Sequence, residues 1–558
     1  MMLPLNESMQ FLALLGATFI LSTMAVEDEP GPPTAEKLTK EIGFDITLTT
    51  IWDTAERQSA EIFWAQPTTV KQIKDLVKAA RKFSLRVRPY GGRHSWAPLF
   101  ADKGDIGLDL SLFAEGDKFT VDKERMLVSA SASAYLHELY QFNTDNGVTI
   151  ISGPNIDNVT LQGATGTSSH GQMKAEGTLA TYVYAIDLVD YKGRNRHFDE
   201  DGDKEVITAC RTHLGMCGII YNTTIRVVKD TVVKFSKTHM KASDIVTNQD
   251  NRKAVVMDNA GMLIMWRMFT SATDEQIMAR NTDPLQRPPL NWDPADDVTT
   301  VWTINPVDDV DIRPNKEPFE DKWRLSDGRE VTGTADYRMA SETMLFTAWT
   351  GPDIHLRNDI AWATAESVDF SASQKTIENF MDVYETAMKR LGSYRSFGIF
   401  RWLSHKDTPT LANTKVANDF NLVLELELTS SCEPCNKHLL EEITRDKVWS
   451  ATVATGMMAN NSRILPHWGK YFDFIPGIID HLRQNYGTKL DEFIKIRNEA
   501  DLDPDNMFTN SHLRTLFHEA IVRNAEKARV SKMKKLNTLA KRFAKLLESF
   551  TFSSNYYL

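Results

Sequence analysis

Short strands alternating with amphipathic helices through residues 62–228 predict a fold built from both α and β elements. Length is the second observation: 558 residues suggest two to four domains. Composition is the third: 42% hydrophobic and 25% charged residues are those of a globular chain able to form a large core. The formal net charge of −11 argues against a nucleic-acid surface, because binding phosphates demands a basic footprint. It fits a soluble protein that handles a small molecule.

The chain opens on an apolar segment, Phe11 to Ala25 (FLALLGATFILSTMA). It is short for a membrane span and suits a signal h-region, with small residues at Thr23-Met24-Ala25, although its n-region has no lysine or arginine. The expectation is a signal peptide or signal anchor, hence a secreted or endomembrane-lumenal protein. Val26 to Lys40, rich in Glu and Pro, reads as a flexible lead-in. Ile62-Phe63-Trp64 reads as a short strand. Thr68 to Phe83 places Val70, Ile73, Leu76, Val77 and Ala80 at helical spacing, with Thr68 or Thr69 as N-cap.

Leu85-Arg86-Val87-Arg88 alternates as a strand that breaks at Pro89. Gly91-Gly92 then permit a tight turn and a close backbone approach to a ligand. Arg93, His94 and Ser95 sit on that turn, where successive N–H groups can point at a phosphate. A glycine turn with a surface histidine, anchored by Trp96, is the plainer alternative. Gly107 to Leu110 is the next strand, Met126 to Ala132 another, and Ala134 to Asn146 a helix closed by Gly147. No G-x-G-x-x-G opens a helix, so the Rossmann fingerprint is absent.

Gly153 to Gly171 (GPNIDNVTLQGATGTSSHG) is too rich in Gly, Ser and Thr for a core helix or strand. It suits backbone that wraps a polar ligand with N–H and hydroxyl donors. Val183 to Val189 is a strand, Lys192-Gly193 a turn, and a helix reaches Cys210. Leu214 to Ile220 is a glycine-punctuated apolar bend, and Thr223 to Val228 a closing strand. Cys432 and Cys435 form a single CxxC, which is no zinc site; a local disulfide or two thiols are the expectations there.

RPYGGRHSWAP, GPNIDNVTLQGATGTSSHG and HLGMCGII, in this order, resemble the FAD-binding domain of the vanillyl-alcohol oxidase and p-cresol methylhydroxylase flavoproteins. Within that family the likeness is to the sugar-1,4-lactone oxidase branch. PHWGK at 466–470 and RNEADLDPDNMFTN at 497–510 extend it to the C-terminal region. The resemblance implies an α+β fold: two subdomains clasping FAD, plus a substrate domain with a large antiparallel sheet flanked by helices. It divides the chain into a leader at 1–40, the FAD domain at 41–230 and the substrate domain at 231–480. A returning segment at 481–525 and a basic tail at 526–558 follow.

The same resemblance implies site residues. His94 matches the position that bonds covalently to the flavin in many members. Gly91, Gly92, Arg93 and Ser95 match pyrophosphate contacts. Thr167, Ser168, Ser169, His170 and Gly171 match the inner edge of the ring, Gly163 is a further cofactor-binding position, and Gly218 and Ile219 match the adenine or pyrimidine side. Oxidation of an alcohol carbon needs positive or donor groups where charge develops on the flavin, and a partner for the hydroxyl proton. Lys470, Arg401 and His467 are the candidates. The implied reaction oxidises a CH–OH group of a sugar lactone or related polyol, with oxygen or another acceptor taking the electrons.

The sequence departs from the family at Ile399, where a glutamate precedes the arginine by two residues. Isoleucine can neither accept a proton nor bind a sugar hydroxyl. A less polar alcohol such as a sterol, or a silent FAD-binding protein, are the alternatives it raises. Glu425 and Glu427, alternating with leucine, are substitute carboxylates or simply an exposed strand face. Arg523 to Phe550 carries nine Lys/Arg against Glu526 and Glu548, with apolar residues near helical spacing. It reads as an amphipathic helix, lying on an anionic membrane or packed on the body.

Overall fold

The computed structural model describes residues 33–553, apart from 53–58, 155, 283–292, 310, 317–333, 348–361, 368–369, 392–395, 405–408, 414–420, 429–447, 461–463 and 471. The apolar segment at 11–25 and the Cys432/Cys435 pair lie outside the described residues. The lead-in is shorter than expected. Helix α1 (Ala35–Ile42) begins at Thr34, whose side chain accepts from the Lys37 N–H, and it buries Leu38 and Ile42.

The first subdomain is a four-stranded sheet ordered β1-β2-β4-β3, from β1 (Ile46–Trp52), β2 (Ser59–Ala65), β3 (Val87–Tyr90) and β4 (Ile106–Asp109). Helix α2 (Val70–Lys82) lies between β2 and β3 in sequence. Thr69 caps it, and Val70, Ile73, Leu76, Val77, Ala79 and Ala80 are buried. Each large aliphatic side chain so buried stabilises the fold by about 1.5–3 kcal/mol. β3 corrects the expectation of a break at Pro89: the strand runs through it to Tyr90. It can do so because β3 is an edge strand, where a missing N–H is tolerated.

The second subdomain contains β5 (Phe119–Asp122), β6 (Leu127–Ser131), α3 (Leu136–Asn146), a short β7 (Val148–Thr149) and α4 (Leu161–Gly166). It continues with β8 (Val183–Val189), β9 (Asn195–Asp199), α5 (Lys204–Cys210), β10 (Ile219–Arg226) and β11 (Val228–Lys229). Five of these strands form an antiparallel sheet ordered β5-β6-β10-β8-β9. Two readings change. A helical turn, α4, forms inside the glycine-rich segment, because Thr160 caps the Gly163 N–H and Leu161 and Ala164 enter the core. β10 begins at Ile219, not Thr223, pairing Ile219 with Val189.

The third unit is an eight-stranded antiparallel sheet of β12 (Val232–Lys241), β13 (Gly261–Arg267), β14 (Val298–Pro306), β15 (Thr334–Met339), β16 (Trp362–Ser367), β17 (Ser396–Leu403), β18 (Asn421–Leu428) and β19 (Leu465–Pro466). Their order is β15-β12-β14-β13-β17-β18-β16-β19. Helices α6 (Phe370–Leu391) and α7 (Val448–Asn460) share one core with the back of this sheet. Phe380 meets Phe400 edge-on at 6.2 Å, and Tyr384 lies 6.2 Å from Trp266. The chain then returns through α8 (Ile478–Tyr486), α9 (Thr488–Glu499) and α10 (Ser511–Leu516) to the first subdomain. It ends in α11 (His518–Ser553), a single helix that runs across the expected boundary at 526.

Arg88 fastens that return. Its buried guanidinium donates to the carbonyls of Leu99 at 2.9 Å, Leu214 at 2.7 Å and Gly215 at 3.3 Å, and to that of Phe508. Asn510 donates to Pro98 O and Phe100 O, both at 2.7 Å. Replacing Arg88 by alanine strands buried carbonyls without donors. The expected loss is about 3–5 kcal/mol in chemical denaturation, with Asn510→Ala costing less.

Candidate active site

The three glycine-bearing segments and PHWGK meet in one cleft between the subdomains and the large sheet. It encloses about 1430 Å³ of space between atoms, its open mouth included. Gly91 to Ser95 follow β3 directly, so the sheet aims the loop. A Cβ on Gly91 would lie 2.1 Å from Thr160 Oγ1, so only glycine lets the loop sit against the start of α4. Arg93 has φ 55°, the left-handed conformation that turns successive N–H groups inward.

The lining residues contain Arg88, Arg93, Arg401 and Lys470 and no Asp or Glu among the described residues. In a chain of net charge −11 this is a strong local excess of positive charge. It suits a pyrophosphate. Gln162, buried on α4, donates to Ala130 O at 3.1 Å while its Oε1 has no hydrogen-bond partner in the chain, leaving an acceptor for a ligand N–H or hydroxyl. The residues present therefore fit FAD.

The structure places most candidates on the cleft wall. Gly91, Gly92, Arg93, His94, Ser95, Gly163, Thr167, Ser169, His170, Gly218, Arg401, His467 and Lys470 all line the cleft. Three do not. Ser168 is fully buried, with Oγ 2.9 Å from Thr212 Oγ1, because its φ of 61° turns the side chain back into the subdomain. Gly171 is packed so closely on Ser152 and Gly153 that a Cβ would lie 2.6 Å from Gly153 O. Ile219 is the first residue of β10 and points into the core of the first subdomain. Alternation along the strand puts Ile220 on the cleft instead.

The substrate side is built on β17, β19 and the turn after it. Arg401 is 4% exposed and lines the cleft from β17. His467 faces His170, their ring centroids 5.9 Å apart. Trp468 turns the other way, stacking on Tyr486 at 5.1 Å and donating to Leu411 O. Lys470 Nζ lies 4.2 Å from the centre of the Trp96 ring, a cation–π contact, and Trp96 N–H donates to Gly469 O at 2.8 Å. The loop bearing His94 and the PHWGK turn are thus one hydrogen-bonded unit.

His467 Nδ1 accepts the Gly469 N–H at 3.0 Å. Burial, reinforced by the neighbouring His170, Lys470 and Arg401, holds this imidazole well below the ordinary histidine range. It is neutral at physiological pH, and with Nδ1 accepting, Nε2 carries the proton. His467 is therefore a hydrogen-bond donor in this arrangement, and no proton acceptor.

His213, the first residue of HLGMCGII, is a cleft residue that the motif does not single out. Its Nδ1 accepts the Gly215 N–H at 2.9 Å. The signal was a histidine two residues before a glycine, the arrangement repeated at His467. Its bend is closed by a Cys210–Cys217 disulfide, which the sequence reading also missed.

A model of the FAD binding domain family matches residues 63–199, and one of D-arabinono-1,4-lactone oxidase matches 443–516. Solved structures share the architecture. A cholesterol oxidase from Brevibacterium sterolicum has a TM-score of 0.64 at 14% identity, covering 88% of this chain and 100% of that one. A flavoprotein of the vanillyl-alcohol oxidase type from Myceliophthora thermophila has a TM-score of 0.57 at 14% identity, covering 81% and 79%. The chain has the fold of flavoproteins of the vanillyl-alcohol oxidase type, and residues 63–199 match an FAD binding domain. Its sequence relatives are sugar-lactone oxidases. L-Gulonolactone oxidase of Bos taurus is 26% identical over 186 residues, 33% of this chain and 42% of that protein. D-Arabinono-1,4-lactone oxidase of Saccharomyces cerevisiae is 22% identical over 503 residues, 79% and 91%. The matches span about two fifths of the length of the gulonolactone oxidases.

Burial lowers His213 to about 4, against about 6.5 for a free imidazole. Between those values the unfolded chain binds a proton that the folded chain refuses. The stability this gives is complete above pH 6.5 and is lost as pH falls toward 4, by about 1 kcal/mol per pH unit. His213→Asn keeps an acceptor for Gly215 N–H and cannot titrate. Its melting temperature should fall less between pH 7 and pH 5 than that of the parent.

Proposed function

We propose that this protein is an FAD-dependent oxidoreductase that oxidises a CH–OH group of a sugar 1,4-lactone or related polyol. The observation that carries this is the meeting of Arg401, His467 and Lys470 with the His94 loop in one carboxylate-free cleft. FAD, when bound, would supply the hydride acceptor, and the substrate's hydroxyl proton would leave to water at the open mouth of the cleft. Gly91 to Ser95 would hold its pyrophosphate with backbone N–H groups, aided by Arg93. His94 is the residue we assign to a covalent bond with the flavin. Lys470 and Arg401 place positive charge where negative charge develops during hydride transfer. The His467 Nε2–H orients the substrate oxygen. Oxygen or another acceptor would take the electrons.

A second reading is favoured by one observation. Ile399 shares a face of β17 with Arg401, two residues away, and is fully buried with Leu263, Met265 and Trp302. The place of the family carboxylate is thus an apolar cluster, which suits a less hydroxylated alcohol. Glu425 occupies the register position opposite Ile399 on β18. For localisation we favour a secreted or endomembrane-lumenal site. The Cys210–Cys217 disulfide supports it, because such bonds persist in oxidising compartments.

The purified protein should be yellow, and the colour should stay with acid-precipitated protein. His94→Ala should bind flavin that acid releases. A colourless parent protein would remove the flavin assignment altogether. Lys470→Met or Arg401→Met should lower kcat/KM by about 10²–10³-fold without loss of flavin. Lactones, alditols and sterols assayed side by side separate the two readings: turnover of sterols alone overturns the first, and of lactones alone the second.

A further inference from the structure

Helix α11 leaves the body soon after it starts. Asn524 is buried and donates to Ala520 O at 2.8 Å and Asp491 O at 3.3 Å, while Arg523 pairs with Asp491 at 2.8 Å. From Ala525 onward every residue whose side chain is described is exposed. The helix has 36 residues, about 54 Å at 1.5 Å per residue. Val530, Met533, Leu536 and Leu539 stand 52%, 55%, 56% and 60% exposed, an aliphatic band in water that winds half way round the helix. Lys527, Lys534 and Lys541, also exposed, recur every seven residues along its flank. The stretch from Arg523 to Phe550 carries nine Lys/Arg against two Glu in a chain of net charge −11.

An occupant of this face must take an apolar band and lysines beside it at the same time. A second copy of the helix would bring the same basic flanks together, and they repel. A packed position on the chain's own body is excluded for the exposed residues just named. A bilayer with anionic headgroups meets both demands: aliphatic side chains enter the acyl boundary while lysine stems run up to the phosphates. No helix among the described residues is long and apolar enough to cross a membrane. We propose that α11 beyond Ala525 is a membrane-surface helix that seats the protein on anionic lipid. This stands apart from the flavin reading and survives its failure.

The test is sedimentation of the full chain with vesicles of phosphatidylcholine, with and without phosphatidylserine. Binding should require phosphatidylserine and weaken as salt rises. Lys534→Gln and Lys541→Gln should each weaken it about fivefold. Leu536→Asp with Leu539→Asp should abolish it while circular dichroism confirms a folded body. Three results overturn the proposal. One is equal binding to phosphatidylcholine alone. Another is binding that survives the double aspartate variant, which would hand the role to the apolar segment at 11–25. The last is no lipid binding together with a dimer, seen by light scattering, that the aspartates dissociate.

Discussion

One buried guanidinium holds three distant parts of the chain together. Arg88 lies within β3, Leu214 and Gly215 belong to the bend before β10, and Phe508 belongs to the returning C-terminal segment. Carbonyls at turns have no ladder partners, and burying them unpaired is costly. A delocalised cation with a fixed fork of donors satisfies several at once. Burial depresses its own pKa to about 10, still far above physiological pH, so the clamp stays charged. The wall of the cleft is a consequence of that arrangement.

Electrostatics gives the cleft its character. The protein is acidic overall, yet the lining gathers cations from β3, the following loop, β17 and the PHWGK turn, and admits no carboxylate among the described residues. Such a segregation favours a bound anion and keeps neighbouring imidazoles neutral. His467 and His213 share one device: Nδ1 accepts a backbone N–H two residues on, which fixes the proton on Nε2. The fold thereby chooses the tautomer of each ring before any ligand arrives.

Much of this was legible from residue types alone. The helix after Thr69, the strand Val183–Val189 and the loop after Tyr90 follow from periodicity and from paired glycines. Arg401, His467 and Lys470, far apart in sequence, were reachable only through motif resemblance, and the structure brings them to one place. The failures have physical causes. Pro89 misled because edge position is a property of the sheet, invisible along the chain. Ile219 and Ile220 exchanged roles because the start of β10 sets which one faces the ligand. Ser168 was misjudged because its left-handed backbone reverses the side chain. The Cys210–Cys217 disulfide needed the bend to be folded before the two thiols could be seen to meet.

The hydrogen bond from Trp96 N–H to Gly469 O, with those from Asn510 to Pro98 and Phe100, has a bearing on biosynthesis. A ribosome delivers the glycine loop early and its braces hundreds of residues later. The nascent FAD domain thus emerges with one side of its pocket unsupported. Its geometry is complete only once residue 510 is free to fold back. The finished polypeptide, rather than the growing one, presents a cleft with all its braces in place.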